Sequence, residues 1–192
     1  TLHMPTPVNG EITAIAQMDT NHFFIGTGSG LFRARIERGK LNIVHDEAVE
    51  SIDTPVHELY YHAISKQLFV GNYKEGILIY DMGKTGKIIP CQSLNNVEIN
   101  RIVTLNAHEL LIATGGKGVY KLDMNTCISE PYITADYSSY NGMNGNNIND
   151  IYVDEDERIW LANYPTGITI RNNRYGSYDL IKHSIGNNLS LV

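Results

Sequence analysis

Four ten-residue stretches of this 192-residue chain share one shape: "FFIGTGSGLF" (23–32), "LFVGNYKEGI" (68–77), "LLIATGGKGV" (110–119) and "IWLANYPTGI" (159–168). Each runs from bulky apolar residues to a small one (Gly26, Gly71, Ala113, Ala162) and crosses a polar patch. Each then restarts at a glycine: Gly30, Gly76, Gly118 and Gly167. Those glycines stand 46, 42 and 49 residues apart. A self-similar period in the low forties is the mark of a radial array with four strands per unit. No other feature of the chain restricts its fold as strongly.

Every unit reads alike. A half-buried strand ("EITAIAQM", "VHELYY", "INRIVTL", "INDIYV") meets a polar turn, and the apolar strand of the shared stretch follows. A third strand alternates after the glycine, as in "GLFRARI" and "GVYKLDM", and a more polar fourth segment closes the unit. Short alternating runs rich in Val, Ile, Tyr and Thr, with turn signals this frequent, describe a β-meander, and no helical period is sustained. The expectation is an all-β chain: a β-propeller fragment of about four blades, each a four-stranded antiparallel meander. The blades read as 11–54, 55–97, 98–146 and 147–187. Residues 188–192 open a fifth repeat, because "GNNLSL" (186–191) restates "GNNIND" (145–150). A four-bladed ring closed by "LHMPTPV" or "NNLSLV" is the alternative. An open blade edge invites pairing, so a homo-oligomer through the exposed edge or face is expected. A clean monomer in sedimentation at high concentration would count against it. Trp160, the one tryptophan, is read as a core wedge between sheets.

Charge narrows the partners. The net charge of −6 is mild, and Lys and Arg are scattered singly, which leaves no basic face for nucleic acid and no cluster for an anionic membrane surface. No apolar run approaches the roughly 20 residues of a spanning helix, so any membrane link belongs to a parent protein. The start "TLHMPTPVNG" lacks a signal-peptide pattern, which a mature secreted chain would have lost. Two cysteines, Cys91 and Cys127, form neither a scaffold nor a C-x-x-C motif. They read as two thiols, or as one disulfide in an oxidising compartment.

Catalytic and metal chemistry find no foothold. "HELYYH" (57–62) spaces its histidines one residue too far for a zinc-protease helix and falls in a strand, where they point to opposite faces. "DEDE" (154–157) lacks the donor spacing of a calcium loop and reads as a solvated turn. His22 and His108 occupy equivalent turns and read as solvated. The glycines of "GTGSG" precede a strand rather than the helix that cradles phosphate. There is no G-x-S-x-G elbow, and no pair of acids stands out as a glycosidase dyad. No catalytic residue, metal ligand or cofactor is expected, and the chain is read as a non-enzyme.

Ligand recognition is the stronger expectation. The connections from second to third strand lie near a propeller axis, and two of them repeat an Asn-Tyr pair: Asn72 with Tyr73, and Asn163 with Tyr164. A flat aromatic beside an amide suits a sugar, whose C–H face stacks while its hydroxyls meet the amide. Lys74 and Lys117 add positive charge that suits an acidic sugar. The inter-blade loop "YSSYNGMNGNN" (137–147) opens on the same side. The candidate ligand-binding set is Asn72, Tyr73, Lys74, Lys117, Asn163 and Tyr164.

The stretch "NNINDIYVDEDERIWLANYPTGITI" (146–170) resembles the two-component regulator propeller repeat, with its apolar strand, acidic turn, Trp-bearing strand, glycine and third strand. "YDLIKHSIGNNLSLV" resembles that family's passage between blades; the first three units share the architecture without the tryptophan. The resemblance implies a periplasmic sensor region of a Bacteroides-type hybrid two-component system. Such a region would detect glycan-derived oligosaccharides and signal to a histidine kinase outside this chain, with the remaining blades of a parent propeller as partners. A protein-docking propeller without a small ligand is the rival reading. A propeller-type polysaccharide lyase or hydrolase is the third.

Overall fold

The computed structural model describes residues 11–44, 52, 54–73, 75–84, 87–89, 94–136, 143, 145–172 and 174–181. Every regular element among them is a strand. The first four are β1 (Ile12–Gln17), β2 (His22–Thr27), β3 (Gly30–Glu37) and β4 (Lys40–Val44), followed by β5 (Glu58–His62), β6 (Gln67–Asn72), β7 (Gly76–Asp81) and β8 (Lys87–Ile89). Next come β9 (Ile99–Thr104), β10 (Glu109–Thr114), β11 (Val119–Asp123) and β12 (Ile128–Ile133). The last are β13 (Ile148–Val153), β14 (Arg158–Asn163), β15 (Gly167–Asn172) and β16 (Ser177–Ile181). Consecutive strands pair antiparallel into four separate four-stranded sheets. This is the meander that the repeat requires, one sheet per unit. The proposed fifth repeat, Cys91 and the loop 137–142 lie outside the described residues. Cys127 sits half-buried in the β11–β12 turn.

The chain divides into two compact units, Thr1–Glu98 and Ile99–Val192. In the first, Ala14, Ala16 and Phe24 of one sheet share a core with Ile52, Val56, Leu59, Leu68, Val70 and Tyr80. Pleating puts Ala14, Ala16, Phe24 and Gly26 on a single face, in register as Ala16↔Phe24 and Ala14↔Gly26. The small residue ending β2 is thereby explained. A Cβ on Gly26 would come within 2.6 Å of Val56 Cγ1 and 3.3 Å of Ala14 Cβ. Glycine there lets the next sheet's lead-in approach the backbone, where Val56 N–H donates to Thr27 C=O at 3.0 Å.

The second unit repeats the plan. Leu111, Ala113, Val119 and Ile133 meet Met143, Ile148, Ile151, Ile159 and Leu161. Each fully buried Leu, Ile or Phe is worth about 1.5–3 kcal/mol of apolar transfer. These two cores are the main favourable term of their units. Along β14 burial alternates, so Ile159, Leu161 and Asn163 face the third sheet. Trp160 therefore points to the opposite side, where it is half-buried and its indole N–H donates to Asp154. A residue beside two core-facing neighbours in a pleated strand has no access to that core.

Five of the short polar turns share one device. Asp19 Oδ1 accepts from Asn21 and His22 N–H, Asn106 Oδ1 from His108 and Glu109 N–H, and Asp154 Oδ1 from Asp156 and Arg158 N–H. Asp81 and Asp123 close the turns after β7 and β11 in the same way. Side-chain oxygens of Asp and Asn mimic a backbone carbonyl two or three residues back, which is why these residues punctuate the period. His22 does more than meet solvent: its Nδ1 lies 2.8 Å from both carboxylate oxygens of Asp19.

The "DEDE" turn is likewise more than a solvated loop. Asp154 is 12% exposed and also accepts from Arg158 Nε at 2.7 Å and from the Trp160 indole N–H at 2.8 Å. Burial by itself would raise this carboxyl. Hydrogen bonds from the Trp160 indole, the Arg158 guanidinium and the Arg158 N–H outweigh it and hold the carboxyl down at about 2. A native value below the unfolded one makes the contribution complete above about pH 4 and lost as pH falls toward 2. The melting temperature of wild type is therefore expected to exceed that of Asp154→Asn at neutral pH, with the gap narrowing between pH 4 and pH 2. Thermal melts followed by the single tryptophan's fluorescence check this; a gap independent of pH would refute it.

Candidate functional site

Four equivalent side chains begin the connections from second to third strand: Thr27, Asn72, Thr114 and Asn163. All are buried, at 0%, 1%, 0% and 5% exposure. In the first three connections the side-chain oxygen accepts a backbone N–H from its own turn. The donor is Ser29 for Thr27 at 3.1 Å, Glu75 for Asn72 at 2.6 Å, and Lys117 for Thr114 at 3.0 Å. The threonine hydroxyls also donate onward, to Gly30 C=O and Gly118 C=O. Each turn is thus closed on itself by a buried polar residue. That requirement selects Thr or Asn at a position the strand pattern alone would fill with an apolar residue.

The second blade's turn is the most fully closed. Asn72 Nδ2 donates to Glu75 Oε2 at 2.7 Å, and the same carboxylate oxygen accepts from Thr54 Oγ1 at 3.2 Å. Both ends of the Asn72 amide are therefore committed to Glu75. Tyr73, beside it, is 59% exposed. Lys74 lies outside the described residues.

The second unit brings Lys117, Asn163 and Tyr164 to one end of its two sheets. Segment 145–147 lies between their turns. Asn146 C=O accepts from Gly116 and Gly118 N–H at 3.1 and 2.7 Å, and Asn147 C=O accepts from Tyr164 N–H at 2.9 Å. Asn146 Oδ1 accepts from Ala135 N–H at 2.7 Å, and Asn163 Nδ2 donates to Gly145 C=O at 3.1 Å. Lys117 is exposed and Tyr164 is 62% exposed. Asn163 Oδ1 differs from its three counterparts, because it is buried with no hydrogen-bond partner. Thr166 Oγ1 in the same turn is in the same condition. A buried polar atom left unsatisfied costs about 1–3 kcal/mol, so this turn is the least settled of the four.

Sequence reasoning named Asn163 and Tyr164 but passed over Thr166 and Gly145. The signal was present in the alignment of the shared stretches. Thr166 stands where the second blade has Glu75, and this exchange removes the carboxylate that closes the turn.

A separate cavity of about 250 Å³ lies at the other end of the second unit's sheets, lined by Leu105, Asn106, Glu109, Lys121, Tyr132, Val153 and Glu157. Its charged groups are already paired, Glu157 with Arg174 at 3.6 Å and Lys121 with carboxylates. Lys121 Nζ lies 2.9 Å from Glu109 and 3.4 Å from Glu130, and Asn106 Nδ2 donates to Glu109 at 2.6 Å. The Lys121 and Asn106 hydrogen bonds hold the Glu109 carboxyl below its usual value. Among the described residues, no group of three or more His, Cys, Asp or Glu is placed to hold a metal ion.

Residues 142–164 match the family described as two component regulator propeller. No curated protein matches the chain. Among solved structures, the extracellular domain of the putative one component system BT4673 from B. thetaiotaomicron superposes with a TM-score of 0.72 at 17% identity, over 97% of this chain and 24% of that one. The extracellular domain described as that of the putative hybrid two component system BT4673 gives 0.68 at 20% identity, over 90% and 25%. The chain thus spans about a quarter of those two structures' length. The WD40 repeats of RRP9 give 0.70 at 10% identity over 92% of this chain and 52% of that one. The computationally designed Ika4 protein gives 0.62 at 11% identity over 89% and 96%. The four sheets of this chain are blades of the β-propeller kind, and residues 142–164, running through β13 and β14, match a two-component regulator propeller repeat.

Proposed function

We propose that this chain is a non-catalytic, ligand-sensing part of an extracytoplasmic propeller in a hybrid two-component regulator. Its ligand is a glycan-derived oligosaccharide, and the signal passes to a histidine kinase outside the chain. The single observation that carries the reading is the match of residues 142–164 to the two-component regulator propeller family. The two similar B. thetaiotaomicron structures, described as extracellular domains of one- and two-component systems, support the periplasmic placement.

Exposed Tyr73 and Tyr164, each following a buried asparagine, supply the stacking surfaces a sugar ring needs. Ligand acts by population shift, favouring one arrangement of propeller and partner over another. Further blades of a parent propeller, or a second copy of this chain, are the partners. Cross-strand neighbours Tyr152, Trp160 and Ile170 support that role. They form a ladder on the face of β13–β15 turned away from the third sheet, with Tyr152 63% exposed. The same ladder favours the second reading, a docking propeller with no small ligand.

Titration separates the two. Glycan-array screening followed by calorimetry is expected to find an oligosaccharide bound by wild type. The double variant Tyr73→Ala, Tyr164→Ala is expected to weaken it at least tenfold, a loss of about 1.4 kcal/mol or more. No binding across the array would remove the sensing proposal and leave the docking one. Turnover of a polysaccharide would remove both.

A further inference from the structure

Two of the four connections have the same length and begin with the same pair, Asn-Tyr, yet differ in how they are filled. In Asn72–Gly76 the position before the glycine is Glu75, whose carboxylate meets Asn72 Nδ2 and Thr54 Oγ1 while its N–H meets Asn72 Oδ1. In Asn163–Gly167 that position is Thr166, too short to reach back. The lead-in segment there contributes Gly145, which has no side chain to offer. The consequences are the two orphaned oxygens, Asn163 Oδ1 and Thr166 Oγ1, in the same turn as the exposed Tyr164. Beside Thr166 there is room for one carbon: a Cβ built on Gly145 would lie 3.6 Å from Thr166 Oγ1 and 3.9 Å from Tyr164 C=O, ordinary contacts with nothing nearer.

We propose that the fourth blade's turn is the recognition turn and the second blade's is structural: Asn163 Oδ1 and Thr166 Oγ1 take hydroxyl groups of a pyranose ring that stacks on Tyr164. This deepens the sensing proposal above and rests on it. The donor–acceptor balance sets the ligand class. Asn163 Nδ2 is already spent on Gly145 C=O, so the amide offers only an acceptor, and the incoming group must bring its own proton. A sugar hydroxyl does so, and it also gives Thr166 Oγ1 either role. A carboxylate lacks the proton and is placed instead toward Lys117, exposed on the neighbouring turn. Tyr73 has no such pair beneath it, because Glu75 has filled the equivalent place from within the chain.

The test transplants one turn's chemistry into the other. Wild type, Thr166→Glu, Gly145→Ala and Glu75→Thr are titrated with lactose, maltose, cellobiose and digalacturonate, and with the strongest array binder. Melting temperatures and the side-chain amide resonances of Asn163 and Asn72 are recorded alongside. Binding is expected to shift the Asn163 amide and leave the Asn72 amide in place. Thr166→Glu should weaken the best sugar at least tenfold while melting no lower than wild type, because the introduced carboxylate closes the turn. Gly145→Ala should also weaken it while staying folded, and it decides the matter if Thr166→Glu unfolds. Glu75→Thr should leave affinity within twofold. A sugar bound equally well by folded Thr166→Glu and Gly145→Ala, or one that shifts Asn72 and spares Asn163, would overturn this assignment and leave the sensing proposal standing. Failure of wild type to bind any glycan would end both.

Discussion

Gly76→Ala is expected to be among the most damaging single-methyl additions in the chain, lowering stability by about 2–5 kcal/mol. Two costs add. Gly76 has φ of +72°, in the left-handed region where an L side chain costs about 1–2 kcal/mol. Its new Cβ would also overlap the carbonyl and Cα of Leu94. Those are backbone atoms, so no rotamer change relieves the overlap, and overpacking of this kind adds about 1–3 kcal/mol. At about 2–4 °C per kcal/mol for a chain of this size, the melting temperature should fall by on the order of 10 °C. Gly28→Ala is the control. Its Cβ meets nothing within 4 Å, so its effect should stay within about 0.5 kcal/mol. Denaturant melts of the two variants make the comparison. Equal, small effects would mean that the strand-opening glycine is not pinned by the segment beside it.

Phe24→Ala is expected to cost about as much by the opposite mechanism. The ring is fully buried between the first two sheets, its centroid 5.9 Å from that of Tyr61, with the Arg33 guanidinium 5.8 Å above it. Truncation removes the transfer energy of the ring and leaves a cavity whose walls are β-strands held in register on both sides. They collapse poorly, and losses of about 3–5 kcal/mol are the rule for Phe→Ala in such settings. Trp160 occupies the equivalent place in the shared stretch but is half-buried, so Trp160→Ala should cost clearly less than Phe24→Ala. A larger loss at Trp160 would show that its face is covered in solution by another blade or another copy. That would support the partner proposal through an independent route.

How much of this could be read from residues alone differs between fold and site. The strand assignments were legible because apolar alternation and turn chemistry agree along each unit: Asp19, Asn106 and Asp154 mark the first turn, and Gly30, Gly76, Gly118 and Gly167 mark the third strand. For Trp160, periodicity tells which residues share its face, while which face meets the neighbouring sheet is a property of packing. Asp154 was underrated for a related reason. An acidic run looks solvated in a sequence, and only folding brings the indole of Trp160 and the guanidinium of Arg158 onto one of its four carboxylates.

The candidate site divides in the same way. Recurrence of Asn-Tyr drew attention to both turns and treated them as equals. The exchange of Glu75 for Thr166 was visible, but its meaning was not. A hydrogen-bond vacancy is defined by what surrounds an atom, and the neighbours of Asn163 come from residues 18 positions away at Gly145 as well as from its own turn.

The sequence by itself determined the period, the meander and the turn residues, since each depends on interactions within a few tens of residues and on the two-residue rhythm of a pleated strand. Tertiary structure alone decided which face of each sheet is core, and which of two matching turns is left with an acceptor to fill. Both outcomes turn on contacts between segments that no local rhythm encodes.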